Sequence, residues 1–412
     1  MPTVSAPSAD RVFSPLDERL ALLPHGTFSP RVHQCLVRLG TELPFERVPA
    51  LAKLLLGVNV TADTVRRLTE AAGAAQVERE EARRTRLRRE APDGPIGPAV
   101  QQLSADGAMV PVTGGEWVEV RTIAVGRVER GGDGLPHTTE LRYFSRYCSA
   151  ADFIDWAEVP LHVAGTATAG TVVAVQDGAE WLSRLLDAHC PAAVRILDFP
   201  HAAEALTRAA QATCGPGTAQ TSAWLDTWLH ELKHGDPEAV IAAIHALPAT
   251  TEEAIAVRDA AAGYLSRRRR QITYADFQRR GYPIGSGAVE SANKLLVEHR
   301  LKGAGMHWSR TNITPMLALR AVVCNDEWET VWPALWQHRC DQAHQRSRQR
   351  WLTRQAVRQK DAVQDTPPAA PLTPILPPEP VMNVGGRPTA DHHWKKGYDQ
   401  RSLACARTPA RT

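Results

Sequence analysis

The chain has 412 residues, with 48 Lys+Arg against 45 Asp+Glu, a formal charge of +3 and 43% hydrophobic content. It can bury a substantial core, which excludes a disordered or fibrous protein, and at roughly 100–200 residues per domain the length points to two or three units. Seven cysteines without a CxxC pair argue against a disulfide framework and a zinc ribbon, and no apolar run approaches the roughly 20 residues that span a bilayer, so a reduced, cytoplasmic chain with no membrane partner is expected.

Residues 1–90 read as a helical region. An apolar-periodic segment lies near 30–41, and PFERVPALAKLLLG closes a second helix at Gly57, which can take the left-handed conformation that ends helices. Thr61 is the predicted N-cap of the next helix, TADTVRRLTEAAG. Two short helices about a Gly-containing turn have the outline of a helix-turn-helix, with Arg66 and Arg67 placed for DNA contact; an ordinary helical hairpin fits the same pattern. Residues 76–90 mix both charges densely and read as a solvated connecting helix. The Pro/Gly cluster APDGPIGP at 91–98 then marks a boundary.

From 99 to 340 the period becomes strand-like before helices return. LSADGAMVPVTGG, EWVEVRTIAVG and TTELRYFSRY predict three antiparallel strands, the first two joined through a Gly-Gly turn. The apolar run GTVVAVQDG at 170–178 predicts a strand buried on both faces, followed by helix EWLSRLLDAH, strand AVRILDF and a helix from His201. This order predicts an α/β fold with a mixed sheet of ribonuclease H-like arrangement. The Ala-rich residues 202–275 carry no strand signal and read as an all-helical insertion. A Gly/Ser loop, IGSG at 284–287, precedes a helix from near Ala288, and Trp328, Trp332 and Trp336 at successive i+4 steps predict core packing. A basic helix at 341–366 leads into 367–412, a linker and tail in which seven of the residues 367–380 are proline.

Three carboxylates fall at element ends or starts: Asp106, Asp177 and Glu290. They are 71 and 113 positions apart, so only a sheet that sets its first and fourth strands side by side could join them. Phosphoryl transfer on DNA uses two hard cations about 3.5–4 Å apart, for which carboxylates are the suitable ligands. Gly107 and Gly178 follow the two aspartates and keep the backbone slim where a phosphate would approach. Asp198 competes with Asp177 for the second position; Asp177 is preferred because it ends the more buried strand. Asp198 and His201 are then accessory. Amides of the IGSG loop could face phosphate, Lys294 lies one turn beyond Glu290, and Arg300 and Lys302 follow about three turns on.

At these residues the chain resembles a known family. DGAMVP, VVAVQDGAEWL, RILDFPHAAEAL and IGSGAVESANKLLVEHRLKGAGMHWS, in this order, are similar to the motifs of DDE transposases of bacterial insertion sequences, specifically the ISKra-type group related to Mutator-like transposases. The similarity covers roughly residues 13–340. It implies a catalytic and metal-binding triad of Asp106, Asp177 and Glu290, two Mg²⁺ or Mn²⁺ ions, double-stranded DNA (element ends and target) as partner, and a homodimer or larger assembly acting at the nucleoid. DFPH takes the place of a C-x-x-H element, with Asp198 at the cysteine position. The Cys-rich segment that precedes the FSPLDERL-like stretch in that group has no equivalent here, which implies an N-terminally shortened copy.

Charge is unevenly distributed. Between Arg267 and Lys302 nine Lys/Arg stand against three acids, and 341–360 adds six against one. Arg267, Arg268, Arg269, Arg270, Lys294, Arg300 and Lys302 are therefore expected to hold phosphates. The sequence predicts a DDE transposase. Its alternatives are a catalytically silent DNA-binding remnant or repressor, and a nuclease or resolvase of the same fold.

Overall fold

A computed structural model describes residues 28–364 together with 4–5, 12–13 and 23. Residues 1–348 form one compact unit; 349–412 form a second, of which 349–364 are described. The Pro-rich stretch and tail lie outside the described residues.

Three helices open the fold: α1 (Pro30–Glu42), α2 (Val48–Leu56) and α3 (Ala62–Glu90). Gly57 caps α2 at φ +66°, as its position required, and the Thr61 hydroxyl accepts the Thr64 N–H at 3.2 Å to start α3. The expected short second helix and the charged connector are one uninterrupted helix, α3. Gly73, which could have ended the shorter helix, stays within the helix and buried, where its missing side chain lets the Pro315 backbone approach, and with no Pro following the 3.6-residue repeat continues.

The sheet has five strands: β1 (Val100–Pro111), β2 (Trp117–Arg130), β3 (Pro136–Arg146), β4 (Thr171–Gln176) and β5 (Val194–Leu197). Their order is β3-β2-β1-β4-β5. β1, β2 and β3 are antiparallel neighbours, Gly114 and Gly115 taking positive φ in the first turn, whereas β4 lies parallel to β1 and β5 parallel to β4. This is a mixed α/β fold.

Side-chain alternation divides the packing between the two faces. Leu103, Ala105, Ile123 and Phe144 pack with α4 (Ala150–Val163) and α5 (Glu180–His189). On the other face, Ala108 and Val110 meet Val289, Leu296 and Leu301 of α11 (Gly287–Ala292) and its continuation, together with α12 (Arg310–Cys324). Between β5 and α11 the chain is entirely helical: α6 (Phe199–Cys214), α7 (Ala219–His234), α8 (Pro237–His245), α9 (Glu252–Arg267) and α10 (Tyr274–Arg279). These helices build a core with Val173, Val175, Ile196 and Leu197. The last helix, α13, runs Trp328–Gln364; its Trp328, Trp332 and Trp336 are buried against α1, α3 and α12, as the spacing predicted. No described helix is long and apolar enough to cross a membrane.

One ion pair ties α3 to the sheet. Arg146 is 1% exposed, touches the Glu80 carboxylate, and lies over the rings of Phe144 and Trp156. Burial pushes its guanidinium down to about 9, still above neutral pH, so the pair is ionic. Arg146→Ala strands Glu80 beside the core and is expected to lower stability by about 3–5 kcal/mol in urea unfolding. A loss under about 1 kcal/mol would mean that Glu80 is already solvated.

Candidate active site

The register of the parallel strands sets the site. Leu103 pairs with Ala174, and Gln176 with Leu197. Continuing each register by the same number of residues places Asp106 level with Asp177, and Asp177 level with Asp198. Beyond Leu103 and Ala174 the two strands no longer pair, and this end of the sheet, at the carboxyl ends of the parallel strands, is where open α/β sheets receive ligands.

Asp106 is half-buried and held by two donors: the Gly107 N–H on Oδ1 at 2.7 Å and Asn293 Nδ2 on Oδ2 at 3.0 Å. Burial pushes its carboxyl above the usual range and the Asp177 charge adds to that, while the Gly107 hydrogen bond, His201 and Asn293 act in the opposite direction. Asp177 and His201 therefore each lie within electrostatic reach of Asp106. A side chain at Gly107 would meet the carboxylate end of Glu119 on β2, which would have to swing aside.

Asp177 closes a turn on itself, Oδ1 accepting the Ala179 N–H at 2.8 Å. The helical insertion clamps that turn from outside. The Tyr264 hydroxyl donates to the Asp177 carbonyl at 2.9 Å, and Arg268 donates to the Gly178 carbonyl at 2.9 Å while stacking on Tyr264 at 4.1 Å. Gly178 has φ +88°, and a Cβ there would sit 2.7 Å from the Arg268 guanidinium.

Asp198 has no exposure, and both its oxygens are used: Oδ1 accepts the Ser286 N–H at 2.7 Å, and Oδ2 faces His201 Nδ1 at 2.8 Å. It serves the IGSG loop and the histidine. The Phe199 N–H adds a bond to the Ile284 carbonyl at 2.9 Å, and Gln102 Nε2 one to the Gly285 carbonyl at 3.1 Å. Gln102, Ser104 and Asp106 alternate along β1 and share a face, so β1 and the end of β5 jointly fix the start of α11.

Glu290 is exposed on α11, its carboxylate 3.5 Å from Ser286 Oγ. Glu290 and Lys294 are both exposed and form no ion pair among the described residues. Among those residues no three His, Cys, Asp or Glu side chains stand together as a metal-holding group. The two carboxylates within electrostatic reach of each other, Asp106 and Asp177, offer oxygen, the donor type a hard cation takes, and Asn293 holds Asp106 through Nδ2 while its own Oδ1 is buried without a hydrogen-bond partner.

The cations expected to hold phosphates differ among themselves. Arg267, Arg269, Arg270 and Lys294 are exposed. Arg268 is tied to Gly178, Lys302 to Glu298 at 2.9 Å, Arg66 to Asp63 and Glu70, and Arg67 to Asp63. Arg300 is corrected outright. It is 1% exposed, donates to the Gly40 carbonyl, and lies between the rings of Phe45 and Trp308. Its charge is spent inside the protein. Sequence reasoning also passed over Asn293, although its i, i+3 spacing from Glu290 puts both on one helix face.

The raised Asp106 carboxyl has a definite sign. A proton binds more tightly in the folded state, so ionising Asp106 opposes folding as pH rises from the ordinary carboxylate range through its raised value. Asp106→Asn is therefore expected to raise the melting temperature in EDTA at pH 7 and to lose that gain near pH 3. An equal gain at both pH values would trace it to packing instead. The sequence matches no protein-family model and has no significant match among curated proteins.

Proposed function

We propose that this chain is a DDE-type DNA transposase, which cleaves a phosphodiester at the end of a mobile element and joins the freed strand to target DNA. The observation that carries the reading is the parallel pairing of the Asp106 strand with the strand that ends just before Asp177, which leaves the two carboxylates within electrostatic reach, with Asn293, just after the Glu290-bearing helix, hydrogen-bonded to Asp106. The strand order fits a ribonuclease H-like sheet, and the four ordered sequence motifs fit the same family.

Two divalent cations, Mg²⁺ or Mn²⁺, supply activation of the attacking oxygen and stabilisation of the leaving one in such chemistry. Asp106, Asp177 and Glu290 would hold them, Glu290 by turning its exposed side chain toward the two aspartates. Arg267, Arg269, Arg270 and Lys294 would hold phosphates, contributing affinity without base readout. In the first step the oxygen of a water molecule would bond to phosphorus as the bond from phosphorus to the 3′-oxygen breaks, and the proton released by the water would go to that 3′-oxygen. In the second, the 3′-hydroxyl oxygen would bond to a target phosphorus and displace a target 3′-oxygen, which takes the proton that the hydroxyl gives up. Paired element ends call for two or more copies of the chain.

A second reading, a DNA-binding protein that does not cut, draws on the exposed Glu290 standing outside any three-residue metal-holding group. The readings separate on duplex DNA carrying the inverted repeats that flank the gene. With Mg²⁺ or Mn²⁺ the chain is expected to nick and join such DNA. Glu290→Gln or Asp177→Asn should lower nicking by about a thousandfold or more while binding survives. Binding without cleavage by the unaltered chain would favour the silent protein, and cleavage without strand joining would favour a nuclease.

A further inference from the structure

Asn293 combines three features in one side chain. It is 6% exposed, its Nδ2 donates to Asp106 Oδ2 at 3.0 Å, and its Oδ1 is buried without a hydrogen-bond partner. It is also the first residue of a π-helical stretch, Asn293–Glu298, between α11 and the short turn His299–Leu301. π-turns are rare and concentrate at functional sites, because the wider turn re-aims the side chains along it.

A half-satisfied buried amide is an unfavourable choice for a helix that only needs to pack. Its neighbours Val289, Ala292, Leu296 and Val297 are buried apolar residues, and a leucine would continue that surface without an orphaned oxygen. What the amide achieves is to hold Asp106 against rotation. With Oδ1 on the Gly107 N–H and Oδ2 on Asn293, the carboxylate plane is fixed before any ligand arrives.

We propose that Asn293 is a positioning residue of the candidate active site, orienting the Asp106 carboxylate for a divalent cation. This rests on the transposase reading for the cation and on geometry for the role. Outer partners of ligating carboxylates typically govern cation affinity by about 10–100-fold.

The test uses Mn²⁺ alone as probe, titrated into the full-length, metal-free chain and followed by the electron paramagnetic resonance of free Mn²⁺. Asn293→Leu and Asn293→Ala should each weaken Mn²⁺ binding about tenfold or more. The Leu variant should at the same time melt no lower than the unaltered chain without metal, because an orphaned oxygen has been removed. A merely structural asparagine would give the reverse, a lower melting temperature with unchanged Mn²⁺ affinity. If both variants bind Mn²⁺ normally while Asp106→Asn does not, the positioning role is overturned and the transposase reading stands. If the unaltered chain and Asp106→Asn bind Mn²⁺ equally, the cation site itself fails, and the inference fails with it.

Discussion

The parallel pairing of β1 with β4 is the constraint from which the candidate site follows. Its four paired positions run from Val100 with Thr171 to Leu103 with Ala174, and they fix which residue of one strand lies level with which of the other. A slip by one residue would turn Asp106 to the opposite face and leave Asp177 without its neighbour. The register is held on both sides. Ala174, Leu103 and Ala105 are buried against α4 and α5, and Val173 and Val175 against the helical insertion. The Asp106 and Asp177 carboxylates, within electrostatic reach of each other, repel. The favourable burial of these apolar residues offsets that repulsion, which is why the site depends on the core beneath it.

The helices around the sheet act on the site as much as on stability. The insertion sends Tyr264 and Arg268 to the carbonyls of Asp177 and Gly178, and Asp198 draws the IGSG loop onto the end of β5. Each contact uses backbone polar groups that would otherwise need water at the sheet's edge. The polar bonds that satisfy the fold therefore also aim the functional groups.

Much of this was legible in the sequence. The caps at Gly57 and Thr61, the five strands and the tryptophan ladder follow from local chemistry, since a φ value, a capping hydroxyl or an i+4 repeat needs no distant partner. The separation between Asp106 and Asp177 was readable as soon as β1 and β4 were imagined side by side. What escaped were properties set by partners far along the chain. Arg300 looked like a surface cation because nothing near it in sequence announces the Gly40 carbonyl or the Phe45 ring. Asp198 looked like a rival ligand because Ser286 lies 88 residues away. Asn293 looked like an ordinary helix residue until Asp106, 187 positions earlier, was found against it.

Those long separations also order events during synthesis. β1 to β5 leave the ribosome before α11 does and can pair without it, while the buried Asp198 carboxylate waits for Ser286 and Asp106 waits for Asn293. Contacts of such high sequence separation close late, because loop-closure entropy opposes them until the rest of the fold is in place. A nascent chain can therefore carry a complete sheet and still lack a formed site. On the proposed function, DNA cleavage would be withheld until the residues around Asn293 have been made.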